Sequence, residues 1–162
     1  MIENSHLLFI HGSESNNQTY KATILRRIFP GIVVPDFTGP LEERMAQLKA
    51  VIGDTSGWTI IGSSLGGLMA TLFAVEHPGQ VRKLVLLAPA LTLPIFSENL
   101  PEPLSIPTII IHGTRDDIVP LEPVRELAKR IFDKLTYHVV EDDHRLHMTA
   151  ESLDWRTLVE GT

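Results

Sequence analysis

The chain has 162 residues, a hydrophobic share of 43%, no cysteine and a formal net charge of −6. This composition predicts one globular domain over residues 1–162 and excludes disulfides, thiolate catalysis and zinc–thiolate sites. It argues against a nucleic-acid partner, because adjoining basic residues form nothing longer than pairs such as Arg26-Arg27 and Arg82-Lys83. No segment reaches the roughly 18 unbroken apolar residues of a membrane span, and the first residues do not resemble a secretory signal, so we expect a cytoplasmic protein.

Short apolar runs alternate with helix-like segments along the chain. Unalternated runs rich in valine and isoleucine are typical of strands that are covered on both faces. Six such runs predict strands, at 6–10, 31–36, 58–61, 83–87, 107–111 and 135–140. Helical spacing and helix-ending residues predict helices over 19–29, 40–53, 65–76, 122–132 and 146–159. This alternation predicts an α/β protein, a three-layer α/β/α sandwich with about six mainly parallel strands.

The segment 88–104 interrupts the alternation, because it is rich in prolines and apolar residues. One interpretation is a crossover connection that the prolines stiffen. The other is a loop that overhangs the site and offers an apolar substrate four side chains, Leu91, Leu93, Ile95 and Phe96. Both interpretations stay open, since long loops in compact domains are often functional. These four residues form the predicted substrate pocket.

The third predicted strand runs into a Gly-Ser-Ser-Leu-Gly turn at 62–66 and then into a helix. A Gly-x-Ser-x-Gly turn in this context holds its serine on a tight corner with the hydroxyl exposed. Glycine is needed at 62 and 66, because a side chain at either position would clash where strand and helix meet. Ser64 is therefore the candidate nucleophile. The alternative, a glycine-rich turn with an ordinary exposed serine, does not explain the apolar strand before it and the helix after it.

A serine nucleophile needs a base, usually histidine, and a carboxylate that orients the base. The expected chain order for this turn is serine, acid, histidine. Asp116 and Asp117 follow the fifth predicted strand, and His144 and His147 follow the sixth. Since the carboxyl ends of parallel strands meet at one edge of a sheet, we expect Ser64, an aspartate and a histidine to meet there.

These motifs and their order resemble the α/β-hydrolase superfamily, in particular its small bacterial esterase-like branch without a cap domain. The resemblance rests on His11-Gly12, the 62–67 elbow, the 76–89 segment, the His-Gly-x-x-Asp-x-x-Val-Pro pattern at 112–120 and Asp143-His144. It implies a minimal α/β-hydrolase fold without a cap. It also implies that Asp116, which Val-Pro follows three residues later, is the catalytic acid and that His144 is the base. Asp117 is then a solvated turn residue, and His147 is the reserve candidate.

An oxyanion hole needs two backbone N–H groups, one from the residue after the nucleophile and one from the loop after the first strand. These positions are Leu65 and Ser13, although Gly12 or Glu14 presents the second N–H if the loop bends differently. His11 and His112 each precede a glycine at a strand end, where we expect them to brace loops. The histidine spacing is not that of a metal site, so no metal and no other cofactor is expected.

The sequence therefore predicts a serine hydrolase that cleaves a small carboxylic ester or thioester through an acyl-enzyme. The alternatives are a non-catalytic binding or scaffold protein that retains the fold, and a triad enzyme that acts on amide or C–C bonds. The expected partner is a small-molecule acyl substrate, and the chain is expected to be a monomer or a homodimer. The carboxylates at Glu14 and at 141–143 predict that anionic substrates are disfavoured.

Overall fold

A computed structural model describes residues 6–161; residues 1–5 and 162 of the predicted domain lie outside this range. Its centre is one parallel sheet whose strands lie side by side in chain order. The strands are β1 (Leu7–Ile10), β2 (Trp58–Ser63), β3 (Val81–Leu87), β4 (Thr108–Gly113) and β5 (Leu135–Val140). Because all of them run the same way, the loops that follow β1, β2, β4 and β5 leave the sheet at the same edge.

Helices connect the strands and cover the sheet. Thr19 begins the first helix by accepting a hydrogen bond from the Ala22 N–H on its side-chain oxygen, at 3.2 Å. In the described part of the chain the helices are α1 (Tyr20–Ile28), α2 (Leu41–Ile52), α3 (Leu65–Glu76), α4 (Pro94–Ser97), α5 (Leu121–Ile131), α6 (His147–Ser152) and α7 (Trp155–Glu160). A short 3-10 turn at Pro78–Gln80 leads into β3.

Apolar cores lie on both faces of the sheet. In β1, Leu8 and Ile10 pack into the core shared with α2, α3 and α5, whereas Leu7 and Phe9 pack into the core shared with α1, α6 and α7. Burial on both faces explains why most of the strands are continuous apolar runs rather than alternating ones. The predicted three-layer α/β/α sandwich is confirmed.

The predicted strand at 31–36 is a single bridge rather than a strand, so the sheet has five strands where about six were expected. Val33 donates to the carbonyl of Leu7 at 2.8 Å and accepts from the N–H of Phe9 at 3.0 Å. Pro35 follows two residues later and has no N–H with which to continue the ladder. The pairing at the outer edge of β1 therefore stops after one residue.

The predicted helix at 146–159 is divided into α6 and α7. Leu153 adopts an extended conformation, and the side chain of Asp154 then accepts from the N–H of Thr157 at 3.2 Å. An aspartate in this position begins a new helix, because it satisfies an N–H that has no partner within the helix. The division lets Trp155 of α7 pack into the core on the α1 side of the sheet, while α6 stays beside the loop after β5.

Candidate active site

Ser64 lies at the corner between β2 and α3 with a φ of 56° and a ψ of −114°. A positive φ at a residue with a side chain is strained, so surrounding contacts must hold it. The N–H of Ser64 donates to the carbonyl of Leu87 at 2.9 Å. Its own carbonyl accepts from the N–H groups of Gly67 at 3.0 Å, Ala90 at 3.0 Å and Leu68 at 3.2 Å. These bonds fix the corner to both α3 and the segment after β3.

The glycines of the elbow are required by close backbone contacts. A Cβ on Gly62 would lie 2.4 Å from the carbonyl oxygen of Gly66, and a Cβ on Gly66 would lie 2.1 Å from that of Ile10. The prediction that neither position accepts a side chain is confirmed. Sequence reasoning missed Gly67, where a Cβ would lie 2.7 Å from the Cβ of Pro89. The adjacent glycines at 66 and 67 hinted at a second close contact. The residue in contact, Pro89, is 22 residues away, so the sequence does not show that the two meet.

The structure brings Ser64, Asp116 and His144 together. Nδ1 of His144 lies 2.8 Å from Oδ2 of Asp116, and Nε2 of His144 lies 3.1 Å from Oγ of Ser64. Because Nδ1 faces a carboxylate, which only accepts, Nδ1 carries the proton in the neutral ring. The lone pair of Nε2 then faces the hydroxyl of Ser64. This arrangement can remove the hydroxyl proton and stabilise the imidazolium that results.

The carboxylate of Asp116 is buried and fully hydrogen-bonded. Its Oδ1 accepts from the N–H groups of Ile118 at 2.9 Å and Val119 at 2.8 Å, and its side chain has no exposed area. Burial by itself raises the pKa of the carboxyl, but hydrogen bonds from His144, Val119 and Ile118 outweigh it, so the pKa of Asp116 lies below its ordinary value. The group is thus ionised at neutral pH. Asp117, in contrast, is exposed and makes no side-chain hydrogen bond within the described residues.

Two buried side chains hold the loop after β1. The ring of His11 donates from Nδ1 to the carbonyl of Gly12 at 2.8 Å and accepts the N–H of Phe37 on Nε2 at 2.9 Å. Arg44 is 7% exposed and donates from Nη2 to the carbonyl of Ser13 at 3.3 Å. Sequence reasoning expected His11 to brace a loop, and it does; Arg44 was missed. Together, His11 and Arg44 fix the direction of the carbonyl groups of Gly12 and Ser13.

The N–H groups proposed for an oxyanion hole are free of protein partners. Within residues 6–161, the backbone N–H groups of Ser13, Glu14 and Leu65 donate to no acceptor. Leu65 is the first residue of α3, where helix N–H groups lack partners and the helix dipole favours negative charge. An N–H points opposite the carbonyl of the same trans peptide. The N–H of Ser13 is therefore directed away from the ring of His11, since that ring binds the Gly12 carbonyl.

A cleft of about 1050 Å³ opens at Ser64 and His144. Its walls come from the loop after β1, the start of α1, the elbow, and the loops after β4 and β5. Ser13 and Glu14 lie on one wall, and His147 lies on another. His147 contacts the ring of Tyr20, with ring centres 4.6 Å apart, rather than Ser64. The structure thus pairs Ser64 with His144 and leaves the reserve histidine in the wall of the cleft.

The predicted substrate pocket requires a correction, because the four residues proposed for it lie outside the cleft. Leu91 and Phe96 are buried in the core on the α3 side of the sheet. Leu93 and Ile95 are exposed, and Ile95 lines a separate shallow hollow between α2 and α3. The reason is that the segment after β3 folds against α3, where Pro89 meets Gly67, and so stays away from the loops that form the cleft.

Charges of both signs line the cleft. The cations and carboxylates are Lys21, Arg115, Arg145, Glu14, Asp117 and Asp143. Burial lowers the pKa of the Lys21 ammonium group, an effect that the nearby carboxylate of Asp143 opposes. The expectation that anionic substrates are disfavoured counted only the carboxylates, and it stays a prediction now that cations are found beside them. Lys21 escaped notice because it lies on α1, far in sequence from the catalytic motifs.

Residues 41–149 match the alpha/beta hydrolase family, and this stretch includes Ser64, Asp116 and His144. The chain belongs to this family. The superfamily that the sequence motifs resemble is thereby confirmed. Ser13, the second residue of the expected oxyanion hole, precedes the matched stretch. The family match therefore does not cover the loop after β1, and its role in this hydrolase is argued from its contacts alone.

Known proteins resemble this α/β hydrolase in part or in full. The biotin biosynthesis bifunctional protein BioHC of Teredinibacter turnerae is 33% identical over 110 residues, which cover 59% of this chain and 18% of that protein. A hydrolase of the alpha/beta superfamily from Xanthomonas campestris pv. campestris superposes with a TM-score of 0.77 at 24% identity, over 93% of each chain. The monoacylglycerol lipase of Paleococcus ferrophilus gives a TM-score of 0.74 at 15% identity, over 96% of this chain and 94% of that one.

None of the helices within residues 6–161 has the length and apolar character needed to cross a bilayer. In the same range, histidine and carboxylate side chains do not gather in threes in a way that could hold a metal ion.

Asp142 ties the loop that carries His144 to the start of α6. It is 5% exposed; its Oδ2 accepts from Thr149 Oγ1 at 2.7 Å and from the Thr149 N–H at 3.1 Å, and its Oδ1 accepts from the Asp143 N–H at 2.8 Å. Burial raises the pKa of the Asp142 carboxyl, but these hydrogen bonds outweigh it and hold the pKa below its ordinary value. A group of this kind stabilises the fold above its unfolded-state pKa and stops doing so as pH falls through its folded-state pKa.

We expect Asp142→Asn to lower the free energy of unfolding by about 1–3 kcal/mol at neutral pH, because it removes the charge that accepts these bonds. The loss should shrink as the solution is acidified through the folded-state pKa, since the wild-type carboxyl is then protonated too. Urea unfolding at a series of pH values measures this, with the exposed Asp133→Asn as a matched control. A loss that stays constant down to acidic pH would contradict the role given to the charge.

Proposed function

We propose that this α/β hydrolase is a serine hydrolase that cleaves a small carboxylic ester or thioester. The observation that carries the proposal is the continuous chain of hydrogen bonds from Ser64 through His144 to the buried Asp116, at 3.1 and 2.8 Å. A serine hydroxyl needs such a base to become nucleophilic at neutral pH. The position of Ser64 at a strained strand-to-helix corner adds support, since that corner leaves the hydroxyl in the cleft.

In the proposed reaction, Oγ of Ser64 attacks the acyl carbon while Nε2 of His144 takes the hydroxyl proton. The negative charge passes to the former carbonyl oxygen, and Asp116 stabilises the imidazolium. When the tetrahedral intermediate collapses, the bond to the alcohol or thiol breaks, and His144 returns the proton to the leaving group. Water then attacks the acyl-enzyme, with His144 again as base, and releases a carboxylic acid and free Ser64.

The oxyanion would be held by the N–H groups of Leu65 and Ser13. Support comes from their lack of protein acceptors and from the helix N-terminus at Leu65. Arg44 and His11 hold the loop that presents Ser13, so this donor is arranged before substrate arrives. Preorganised donors are effective because they need no rearrangement when the charge develops.

The residues that line the cleft favour a small acyl substrate. Phe9, Tyr20 and Ile118 supply apolar wall area beside Ser64, and charged groups lie around them. The fold similarity to a monoacylglycerol lipase is in keeping with a carboxylic ester as substrate. A cytoplasmic location, without a nucleic-acid partner, stays a prediction that the absence of cysteine and the net charge of −6 support.

Labelling with a fluorophosphonate, followed by mass-spectrometric mapping of the adduct, tests the proposal. We expect one adduct, on Ser64, that Ser64→Ala abolishes and that the exposed Ser105→Ala leaves unchanged. The reagent reacts only with an activated serine, because an ordinary hydroxyl is a weak nucleophile at neutral pH. If the protein takes the label, an unlabelled sample would then be offered matched ester, thioester and amide substrates. A folded protein that takes no label would favour the non-catalytic binding protein instead.

A further inference from the structure

His112 is a buried histidine that the proposed reaction does not use. Its side chain has no exposed area, and both ring nitrogens lie within hydrogen-bond distance of partners. Nδ1 lies 2.9 Å from the hydroxyl of Tyr137. Nε2 lies 3.0 Å from the carbonyl oxygen of Val119 and 3.3 Å from Oδ2 of Asp116. The ring thus stands between β5 and the loop that carries the proposed catalytic acid.

The partners of His112 determine where its proton lies. A carbonyl oxygen and an ionised carboxylate only accept hydrogen bonds, so the nitrogen facing them, Nε2, must carry the proton. Burial lowers the pKa of the His112 imidazole, which opposes a second proton on the ring. Nδ1 is therefore an acceptor. The hydroxyl of Tyr137, which can donate or accept, must donate to it.

Tyr137 is well suited to remain a donor. Burial raises the pKa of its phenol above the ordinary value, so the hydroxyl keeps its proton throughout the neutral range. The guanidinium of Arg125 lies over its ring, 5.7 Å from the ring centre, in a cation–π contact that helps to hold the aromatic side chain. Tyr137 and His112 occupy neighbouring parallel strands, so the sheet itself sets the distance between them.

The carboxylate of Asp116 is held from three directions. Oδ1 accepts hydrogen bonds from the backbone N–H groups of Ile118 and Val119. Oδ2 lies 2.8 Å from Nδ1 of His144 and 3.3 Å from Nε2 of His112. If the contact with Nε2 of His112, which lies 3.3 Å from Oδ2, were lost, only the hydrogen bond from His144 would hold Oδ2, and the carboxylate would be freer to rotate. Triads depend on this orientation, because the acid fixes the direction of the base.

We propose that His112 and Tyr137 are positioning residues for the catalytic acid: Tyr137 donates to Nδ1 of His112, which keeps the ring proton on Nε2, between the Val119 carbonyl and Oδ2 of Asp116. This proposal rests on the proposed function for its effect on rate. The positions of the protons on His112 and Tyr137 do not depend on the proposed function and can be observed in the protein without substrate.

Nuclear magnetic resonance of protein labelled with ¹⁵N-histidine tests the arrangement without any substrate. We expect the His112 ring to carry its proton on Nε2 and to have a bare Nδ1 in the wild type. In Tyr137→Phe, the Nδ1 resonance of His112 should shift, and so should the resonance of the proton between His144 and Asp116. A wild-type ring with its proton on Nδ1, or a variant with both resonances unchanged, would overturn the proposal.

Rates of ester hydrolysis test the consequence. We expect Tyr137→Phe to lower kcat about tenfold with KM unchanged within about twofold, since the acid is displaced but the cleft is not. His112→Phe should lower kcat at least as much, whereas His112→Gln should recover most of it, because the amide offers an N–H near the position of Nε2. His138→Gln, at an exposed position next to Tyr137 on β5, is the matched control with unchanged rate.

The two proposals fail in different ways. A wild type without labelling or turnover would overturn the serine hydrolase, and the resonances alone would then decide the placement of the protons. A labelled wild type whose Tyr137→Phe variant keeps full kcat would overturn the positioning role and leave the hydrolase standing. If His112→Phe does not fold, the kcat of Tyr137→Phe, which keeps the ring of His112 in place, decides the question.

Discussion

Replacing Asp116 with asparagine is expected to lower kcat/KM for ester hydrolysis about 10⁴-fold while the protein remains folded. An asparagine amide presents an N–H to Nδ1 of His144 as readily as an oxygen. The ring then places its proton on Nε2, which can no longer accept the proton of Ser64. The measurement is steady-state hydrolysis of a p-nitrophenyl ester, together with the rate of fluorophosphonate labelling.

Asp117→Asn is the matched control, because it changes the neighbouring carboxylate in the same way at an exposed position. We expect it to alter kcat/KM less than about threefold, in keeping with the modest worth of an exposed charge. If the large loss followed the change at Asp117 rather than at Asp116, the acid would be misassigned. Circular dichroism of both variants establishes that the comparison is between folded proteins.

Gly66→Ala is expected to lower the free energy of unfolding by about 3 kcal/mol or more, or to prevent folding altogether. The added Cβ would lie 2.1 Å from the carbonyl oxygen of Ile10 and 2.8 Å from that of His11. Both are backbone atoms at the end of β1, so no side-chain rotation relieves the overlap. Separating them would also move the loop that presents Ser13.

Gly79→Ala is the control for this substitution. A Cβ at Gly79 meets no atom within 4 Å, and the backbone there does not adopt a positive φ. We expect its free energy of unfolding to be unchanged or slightly higher, by up to about 1 kcal/mol, because alanine restricts the unfolded chain. Chemical denaturation of both variants gives the comparison. Equal midpoints for Gly66→Ala and wild type would contradict the close packing at the elbow.

The parts of this protein that could be predicted from sequence are those that local chemistry determines. The elbow was predictable because glycines, a serine and an apolar strand occur within a few residues of one another. The convergence of Ser64, Asp116 and His144 was predictable because each follows a strand, and parallel strands end at one edge. The roles of these residues as nucleophile, acid and base stay predictions until the variants are measured.

The parts that escaped prediction depend on contacts between distant segments. Leu91 and Phe96 read as candidates for a substrate pocket, but burial under α3 depends on the path of the chain after β3. Lys21 reaches the cleft only because α1 packs beside α6, which local pattern does not reveal. The bridge at Val33 needed the edge of β1 as partner, and a short apolar run before a proline does not tell a bridge from a strand.

The order of the strands divides the proposed triad between two structural units. Asp116 and His144 follow β4 and β5, adjacent strands that α5 connects, whereas Ser64 follows β2 on the far side of β3. A small slide at the seam between β3 and β4 would leave the acid and base in contact and carry both away from the serine. The proposed activity would then be lost while each half keeps its packing. The pairing of β3 with β4 therefore matters to the proposed reaction as much as the loops do.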